Sequence, residues 1–232
     1  MAREHRRPRA PTGRFFVTAT DTGVGKTEVA CALLSLLADA GRAPVPFKPY
    51  ESGVDSRVGP SDAQALLAAS RSERTLAQVC LHRYRAPVAP GVAAVRRGEA
   101  DTWARTLAAV RALGDGAVVV EGAGGLLVPL DARHDVIDLV EAAALPVVLV
   151  ARASLGTLNH VGLSLLALAQ RNVPVRAVVL VQSTPGRDAS VRDNADWIVR
   201  RHGVEVLGPV PYRADPKARA RAFRRVLAPL IA

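Results

Sequence analysis

The chain has 232 residues, a mass of 24.5 kDa and 49% apolar residues, enough for one globular domain with a substantial core. No apolar run reaches the roughly 18 residues that a membrane span needs, and the basic start lacks the apolar segment of a secretory signal. The two cysteines, Cys31 and Cys80, have no metal-ligand spacing and fit a reducing compartment. These features predict a cytoplasmic protein that does not bind membranes.

The net charge of +10 is concentrated at the two ends of the chain. Residues 1–14 carry five arginines and one glutamate, and residues 213–232 carry six lysines or arginines and one aspartate. The span between them is almost neutral and has no basic stripe with interleaved aromatic residues, so we expect no nucleic-acid partner. We predict a disordered basic tail over residues 1–13, a single domain over residues 14–232, and a solvated helix at the C-terminus.

The first predicted strand, residues 15–18, runs into a short turn that ends in Gly25-Lys26-Thr27, and a helical pattern over residues 29–40 follows. Strand, loop and helix in this order indicate a phosphate-binding loop, although Thr20 stands where the usual spacing has glycine. Lys26 would reach the β- and γ-phosphates of a nucleotide, and the Thr27 hydroxyl would ligate Mg²⁺. The alternative is a glycine turn that caps an ordinary helix. The loop residues predicted to contact the nucleotide are Asp21, Thr22, Gly23, Val24, Gly25, Lys26 and Thr27.

Apolar, valine-rich runs alternate with helical patterns along the rest of the chain. The runs do not alternate with polar residues, which is typical of parallel strands buried on both faces. The sequence therefore predicts an α/β fold with a doubly wound, mostly parallel sheet and helices on both faces. Residues 83–97, rich in Pro, Ala and Arg, predict a long surface loop. The predicted strands cover residues 15–18, 44–48, 117–121, 146–151, 175–181 and 204–207, and the helices cover residues 29–40, 62–70, 102–113, 136–144, 158–171 and 191–201.

Lys48 follows the second predicted strand and is one of only three lysines in an arginine-rich chain. Ligands of such sheets gather at the carboxyl ends of the strands, so Lys48 should lie near the phosphate loop. It could neutralise charge on a transferred phosphoryl group, or, with its pKa lowered by Lys26, accept a proton from a substrate amine. The structural alternative is a lysine that extends from the sheet into solvent.

Two carboxylates are candidate Mg²⁺ ligands beside Thr27. Glu121 ends a buried strand and precedes a glycine run that lets backbone approach a ligand closely. Asp62 opens a predicted helix after Ser61, where the helix dipole alone would also favour an acid. Its role as a ligand and its role in the helix both remain open at this stage.

Six motifs in order along residues 14–212 make the sequence resemble the dethiobiotin synthetase family. The resemblance implies an ATP-dependent enzyme that joins CO₂ to 7,8-diaminopelargonate and closes a cyclic urea through a carbamate and a carbamic-phosphoric anhydride. It also implies a homodimer, with ATP as a co-substrate and Mg²⁺ as cofactor. The motifs are Thr20-Asp-Thr-Gly-Val-Gly-Lys-Thr27, Lys48-Pro-Tyr-Glu-Ser-Gly53, Ser61-Asp62-Ala63, Val120-Glu-Gly-Ala-Gly-Gly125, Leu155-Gly-Thr-Leu-Asn-His160 and Leu207-Gly-Pro-Val-Pro211.

The resemblance also implies roles for single residues. Lys26, Lys48 and Thr22 would be catalytic, and Thr27, Asp62 and Glu121 would surround Mg²⁺. Besides the loop residues, Glu121, Gly124, Gln182 and Pro211 would contact the nucleotide. The substrate would contact Lys48, Ser52 and Gly124, and its carboxylate would bind the turn formed by Gly156, Thr157, Leu158 and Asn159, supplied across the dimer interface.

Four positions depart from the family pattern. Ala19 and Gly23 differ from the usual loop residues, and Gly91 stands where the family often has histidine. Gln182 stands where an asparagine that reads adenine is usual, so the sequence does not predict which base is preferred.

Two rival interpretations use the same phosphate loop. A related amide-forming synthetase of the cobyrinate type would need a glutaminase-like domain, for which 232 residues leave no room. A switch ATPase of the Min/Par type would carry a second loop lysine at the position of Asp21. Both are therefore disfavoured.

Overall fold

The computed structural model describes residues 13–55, 57, 59–99, 102–186 and 188–232. The predicted tail, apart from Gly13, lies outside the described residues, so its disorder stays a prediction. The strands are β1 (Arg14–Ala19), β2 (Val45–Phe47), β3 (Tyr50–Ser52), β4 (His82–Tyr84), β5 (Val118–Gly125), β6 (Val147–Arg152), β7 (Val175–Val181) and β8 (Val206–Val210). The helices are α1 (Lys26–Asp39), α2 (Asp62–Ser70), α3 (Leu76–Val79), α4 (Pro90–Arg96), α5 (Thr102–Arg111), α6 (Val136–Ala143), α7 (Thr157–Gln170), α8 (Val191–His202) and α9 (Pro216–Leu227).

Six strands form one sheet in the order β2-β5-β1-β6-β7-β8, and all of its pairs are parallel. Alternate residues of β1 contribute to two different apolar clusters. Phe15 and Val17 belong to the cluster that includes residues of α1 and α9, whereas Phe16 belongs to the cluster that includes residues of α6, α7 and α8. Helices thus cover both faces of the sheet, and the predicted doubly wound fold is confirmed. Strands that are buried on both sides need apolar residues at every position, which explains the valine-rich runs.

Residues 83–97 do not form the long surface loop that the sequence predicts. They contain the end of β4, which pairs in parallel with β3, and the whole of α4. Pro90 occupies the first turn of α4. Backbone nitrogens of a first turn have no hydrogen-bond partner within the helix, so the N–H that proline lacks is not needed there. Gly91 donates a hydrogen bond to the Pro129 carbonyl at 2.8 Å, and a Cβ there would lie 2.9 Å from the Asp131 carbonyl. Small residues thus let this helix pack closely against backbone, and a histidine at position 91 would require that backbone to move.

The C-terminal helix α9 is solvated on only one side. Its arginines lie at the surface, while Phe223 and Leu227 are buried in the cluster that α9 shares with α1. The helix therefore docks beside the phosphate loop, and the prediction of a simply solvated terminal helix was incomplete. Within the described residues, no helix combines the length and apolarity that crossing a bilayer would take.

Candidate active site

The phosphate loop lies between β1 and α1. Gly25 adopts the left-handed conformation, with a φ of 103°, directly before the first helical residue, Lys26. A side chain at position 25 would be strained, and its Cβ would lie 3.3 Å from Val181. This turn places the free N–H groups of the helix start beside the loop, as an anion site requires.

Lys26 is nearly buried within this loop, with 7% of its surface exposed. Its ammonium donates a hydrogen bond to the Asp21 carbonyl at 3.0 Å. Burial lowers the pKa of Lys26 and the cation of Lys48 adds to this, while Glu121 opposes both. A desolvated cation at the start of a helix favours an anion that completes its hydrogen bonds.

Asp21 braces the loop with its side chain. Its carboxylate accepts a hydrogen bond from the Thr22 N–H at 2.7 Å and another from the guanidinium of Arg152. Arg152 is the last residue of β6, so this ion pair ties the phosphate loop to the neighbouring strand. Arg152 is not among the residues predicted from the sequence. Its position as a charged residue at the end of a buried valine run could have indicated a residue of the site.

The centre of the site is a buried cation held between two carboxylates. The Lys48 ammonium lies 2.6 Å from Glu121 Oε1 and 3.1 Å from Asp62 Oδ2. The Thr27 hydroxyl donates to the same Glu121 oxygen at 2.9 Å. Lys48 and Glu121 are 3% and 1% exposed, so neither is a solvated surface group. The structure thus brings together four predicted residues from β5, α1, α2 and the chain after β2.

These contacts fix the protonation of Lys48. Burial alone would lower the pKa of Lys48, but the carboxylates of Glu121 and Asp62 outweigh burial and raise the pKa above its usual value. Lys48 is therefore a cation at neutral pH. The alternative that a lowered pKa makes Lys48 a proton acceptor is wrong for this arrangement, because the two carboxylates at 2.6 and 3.1 Å raise the pKa more than burial lowers it.

The predicted Mg²⁺ ligands pass a test of chemical fit. The second oxygen of Glu121, Oε2, is buried and has no hydrogen-bond partner among the described residues. Asp62 is half-exposed, and the Thr27 hydroxyl lies beside Glu121. No group of three or more His, Cys, Asp or Glu side chains in the described ranges is arranged to hold a metal. Two carboxylates and a hydroxyl suit Mg²⁺, which usually keeps waters and shares substrate phosphates.

A cavity of about 950 Å³ opens over these residues. One side of it is the phosphate loop with Lys48 and Asp62, and the other side is formed by β3 and the start of α4. From there it continues between α1, α2 and α9. The predicted residues that line it are Thr22, Gly23, Lys26, Thr27, Lys48, Ser52, Asp62 and Gly124. The active site predicted at the carboxyl edge of the sheet thus has room for a nucleotide and a small substrate.

Gly124 lies where β5 passes the phosphate loop. Its φ is 71°, and a Cβ there would lie 2.8 Å from Val128 Cγ2 and 3.6 Å from the Thr22 hydroxyl. No other residue type fits without displacing that wall, so the glycine keeps the backbone close to the cavity.

Other predicted residues lie elsewhere in the described chain. Gly156, Thr157, Leu158 and Asn159 form the turn and first residues of α7, and none of them lines the main cavity. Gln182 follows β7 and donates its backbone hydrogen bond to Val210 at 2.9 Å. Pro211 borders a separate depression of about 280 Å³ beside α9. Val24 belongs to the phosphate loop, but its side chain is buried.

Sequence reasoning missed two features that shape the cavity. Glu51 is 5% exposed and follows Lys48 closely on β3, but no spacing rule marks it. Arg219 and Arg224 of α9 line the cavity beside α1, which their position in a basic terminal segment did not indicate. A helical pattern with Phe223 and Leu227 on one face was the available signal.

Similarity to known proteins gives the family of this chain. A family model described as an AAA domain matches residues 13–219. An ATP-dependent dethiobiotin synthetase of Anaeromyxobacter dehalogenans (strain 2CP-C) is 48% identical over 92% of this chain and 96% of its own length. The dethiobiotin synthetase of Bacillus subtilis (strain 168) is 33% identical over 87% of this chain and 88% of its own.

Among solved structures, the chain is similar to the signal recognition particle receptor FtsY from Elizabethkingia anophelis. It covers 90% of this chain and 64% of its own length, with 13% identity and a TM-score of 0.47, a likeness that supports no further argument. The sequence relatives are decisive because they match nearly from end to end. The chain belongs to the ATP-dependent dethiobiotin synthetase family.

Proposed function

We propose that the chain carboxylates 7,8-diaminopelargonate with CO₂ and closes the cyclic urea of dethiobiotin, with ATP converted to ADP and phosphate. It is an ATP-dependent ligase of biotin biosynthesis, as its family membership indicates. The observation that carries the detailed proposal is the buried ammonium of Lys48 beside the phosphate loop, held by Glu121 and Asp62 at 2.6 and 3.1 Å. A switch ATPase needs no such second cation at this place.

The reaction proceeds in three steps, and each step makes its own demand on the site. One amine of the substrate attacks CO₂ and loses a proton, which gives a carbamate. A carbamate oxygen then takes the γ-phosphoryl group and ADP leaves. The second amine attacks the carbonyl carbon, loses its proton and expels phosphate. The phosphoryl group passes from ATP to the carbamate oxygen and later leaves as phosphate. Negative charge develops first on ADP and then on phosphate, so cations beside these oxygens stabilise the transition states.

We assign the role of these cations to Lys26 and Lys48. Lys26 donates a hydrogen bond within the phosphate loop, Lys48 is held by Glu121, and both lysines are nearly buried. Lys48 stays protonated because of its two carboxylates, so it acts by charge and hydrogen bonding and leaves proton acceptance to other groups. Thr22 lies in the loop between the phosphate side and Gly124, where its hydroxyl can position the carbamate.

We assign Thr27, Asp62 and Glu121 as the residues that would hold Mg²⁺. When bound, the ion would neutralise phosphate charge and polarise the transferred group. Thr27 and Glu121 are already joined by a hydrogen bond, and Lys48 orients both carboxylates. Contacts within the protein thus hold these three side chains together.

We also propose a homodimer in which the turn before α7 serves the partner's substrate. Gly156 has a φ of 92°, so the start of this 14-residue helix presents free N–H groups that suit a carboxylate. The turn does not line its own chain's cavity. Leu163 and Leu166 leave an apolar stripe of this helix exposed, each 58% exposed, which a second subunit would cover.

A cytoplasmic location and small-molecule partners complete the proposal. Cys31 and Cys80 are both free, which fits a reducing compartment. Burial raises the pKa of each thiol to about 12, so neither has the thiolate character of a catalytic cysteine. The chemistry therefore depends on the charged residues of the cavity.

The experiment that tests the function is a diamine-dependence assay. Purified protein with ATP, Mg²⁺, bicarbonate and 7,8-diaminopelargonate should release phosphate in a 1:1 ratio with a cyclic urea detected by mass spectrometry. CTP and GTP in place of ATP measure base preference. ATP hydrolysis at the same rate with and without the diamine would refute the proposal.

A further inference from the structure

Glu51 is a buried carboxylate beside the site that has no part in the proposed chemistry. It is 5% exposed, lies on the three-residue strand β3 and borders the cavity. Its Oε1 accepts a hydrogen bond from the Asp62 N–H at 2.6 Å. The bond joins residues eleven apart in the chain, so it closes the segment between β3 and α2. Burial of a charge is unfavourable unless it is compensated, so the position of this carboxylate requires an explanation.

Two neighbours of Glu51 favour its negative charge. The first is the Asp62 N–H at the start of α2, where an anion interacts favourably with the helix dipole. The second is Arg83 on the paired strand β4, but its Nε lies 4.0 Å from Glu51 Oε2, and neither atom has a hydrogen-bond partner among the described residues. The contact that holds Glu51 to the start of α2 therefore runs through Oε1.

The start of α2 also carries Asp62, whose carboxylate is the proposed Mg²⁺ ligand. Asp62 is the first residue of this helix, and its side chain reaches Lys48 at 3.1 Å. A second contact fixes the helix start independently, since Ser61 and Gln64 form a capping box with bonds of 2.8 and 3.4 Å. The capping box satisfies N–H groups of the helix itself, whereas the Glu51 bond connects the Asp62 backbone to β3, the strand that follows Lys48 and Pro49.

We infer that Glu51 is a positioning residue: it fixes the Asp62 backbone so that the Asp62 carboxylate faces Lys48 and Glu121 in the geometry that the metal–nucleotide complex needs. This inference rests on the proposed function, because it assigns Asp62 to Mg²⁺. Residues that orient metal ligands typically change metal affinity or activity by about 10- to 100-fold when they are replaced. The role needs an acceptor at Oε1 and the full reach of the side chain. The negative charge is not required for it.

Three variants separate position from charge. Glu51→Gln keeps the length and the Oε1 acceptor, Glu51→Asp keeps the charge and retracts it by one methylene, and Glu51→Ala removes both. The matched control is Ser61→Ala, which removes a cap of the same helix without touching the Glu51 bond. Mn²⁺ in the presence of a non-hydrolysable ATP analogue, followed by electron paramagnetic resonance, reports metal binding without turnover.

We expect Glu51→Asp and Glu51→Ala to weaken nucleotide-dependent Mn²⁺ binding by about tenfold. Glu51→Gln should stay within about twofold of the wild type, because its carbonyl can accept the same bond. Ser61→Ala should lower the melting temperature and leave Mn²⁺ affinity unchanged. If Glu51→Asp binds Mn²⁺ as the wild type does, or if Ser61→Ala loses as much affinity, the inference is overturned.

Turnover in the same preparations keeps the two proposals apart. A wild type that binds Mn²⁺ with the expected variant pattern but shows no diamine-dependent phosphate release would refute the function and support the role of Glu51. A wild type that turns over with unchanged Mn²⁺ binding in every Glu51 variant would support the function and overturn the role of Glu51.

Discussion

The two walls of the cavity are built in different ways. The phosphate wall is the turn after β1, a strand hydrogen-bonded on both sides within the six-stranded sheet. The opposite wall consists of β3 and the start of α4. β3 pairs with β4, and each of these strands has only three residues. Buried polar side chains add support, among them Tyr50, His82 and Thr106. Backbone pairing on both sides of β1 thus fixes the first wall, whereas the second wall depends more on individual side chains and should respond more to single substitutions.

Removal of the cation between the two walls should have the largest effect. Lys48→Met should lower kcat by at least about 10²- to 10³-fold, the loss seen when one electrostatic stabiliser is removed from an active site. It also leaves Glu121 buried without its counter-ion, which typically costs about 3–5 kcal/mol of unfolding free energy. Steady-state kinetics and urea denaturation measure the two effects.

Two controls separate activity from stability in this experiment. Lys217→Met removes an exposed lysine of α9 and should change neither quantity. The double variant Lys48→Met/Glu121→Gln removes the buried charge as well and should recover much of the stability without recovering kcat. Recovery of activity in the double variant would contradict the role of Lys48 as a cation.

A second comparison uses two glycines with nearly the same backbone. Gly124 and Gly114 have φ values of 71° and 69°, but only Gly124 has atoms within 4 Å of the position of a Cβ. Alanine at either position should cost about 1–2 kcal/mol of stability because of the left-handed conformation. Gly124→Ala should in addition lower kcat/KM for the diamine by about tenfold, since it displaces Val128 or Thr22. Equal kcat/KM in the two variants would show that this close approach is unimportant.

The smallest expected effect is a pH dependence of the second wall. His82 is buried, stacks on Tyr50 at 4.7 Å and contacts the Thr106 hydroxyl at 3.1 Å. Burial lowers the pKa of His82, and Arg105 adds to this. The unfolded chain therefore binds the proton more readily than the folded one. The contribution of neutral His82 is fully present above about pH 6.5 and is lost as the pH falls toward the folded-state pKa.

The measurement is the unfolding free energy between pH 7.5 and pH 5, with His82→Gln and the exposed His160→Gln compared. Each unit of pKa shift corresponds to about 1.4 kcal/mol of stability across that window. His82→Gln should flatten the pH dependence of the unfolding free energy, while His160→Gln should leave it unchanged. A wild type whose stability rises toward pH 5 would contradict the sign of the effect.

The sequence predicted the first wall much better than the second. Valine-rich runs on both sides of a glycine turn have few other physical solutions, so the parallel sheet and the turn that leads into α1 were predicted correctly. Lys48, Glu121 and Asp62 could be selected as candidates because each stands next to a strand or helix boundary. Their mutual contacts, and the raised pKa of Lys48 that follows, depend on distances that spacing does not give.

The second wall had no such signal in the sequence. β3 and β4 are three residues long, which is too short for a hydrophobic repeat to be recognised in the sequence. α4 contains Pro90 and Gly91, which usually indicate a loop. Its packing depends on a long-range fit of small residues to the backbone near Pro129. Arg152 is an intermediate case: its position at the end of a buried valine run is visible in the sequence, but its partner Asp21 is far away along the chain and is not.

The hydrogen bond from the Asp62 N–H to Glu51 has a consequence for how the chain can change in length. It fixes both ends of the segment between β3 and α2, while Pro60 and Gly59 within it are exposed. Closure of a flexible loop costs only about 0.6 kcal/mol more for each doubling of its length. Insertions or deletions between Gly53 and Pro60 should therefore leave the Asp62 carboxylate facing Lys48. We expect this segment to vary in length among enzymes of the family that keep an acceptor at position 51.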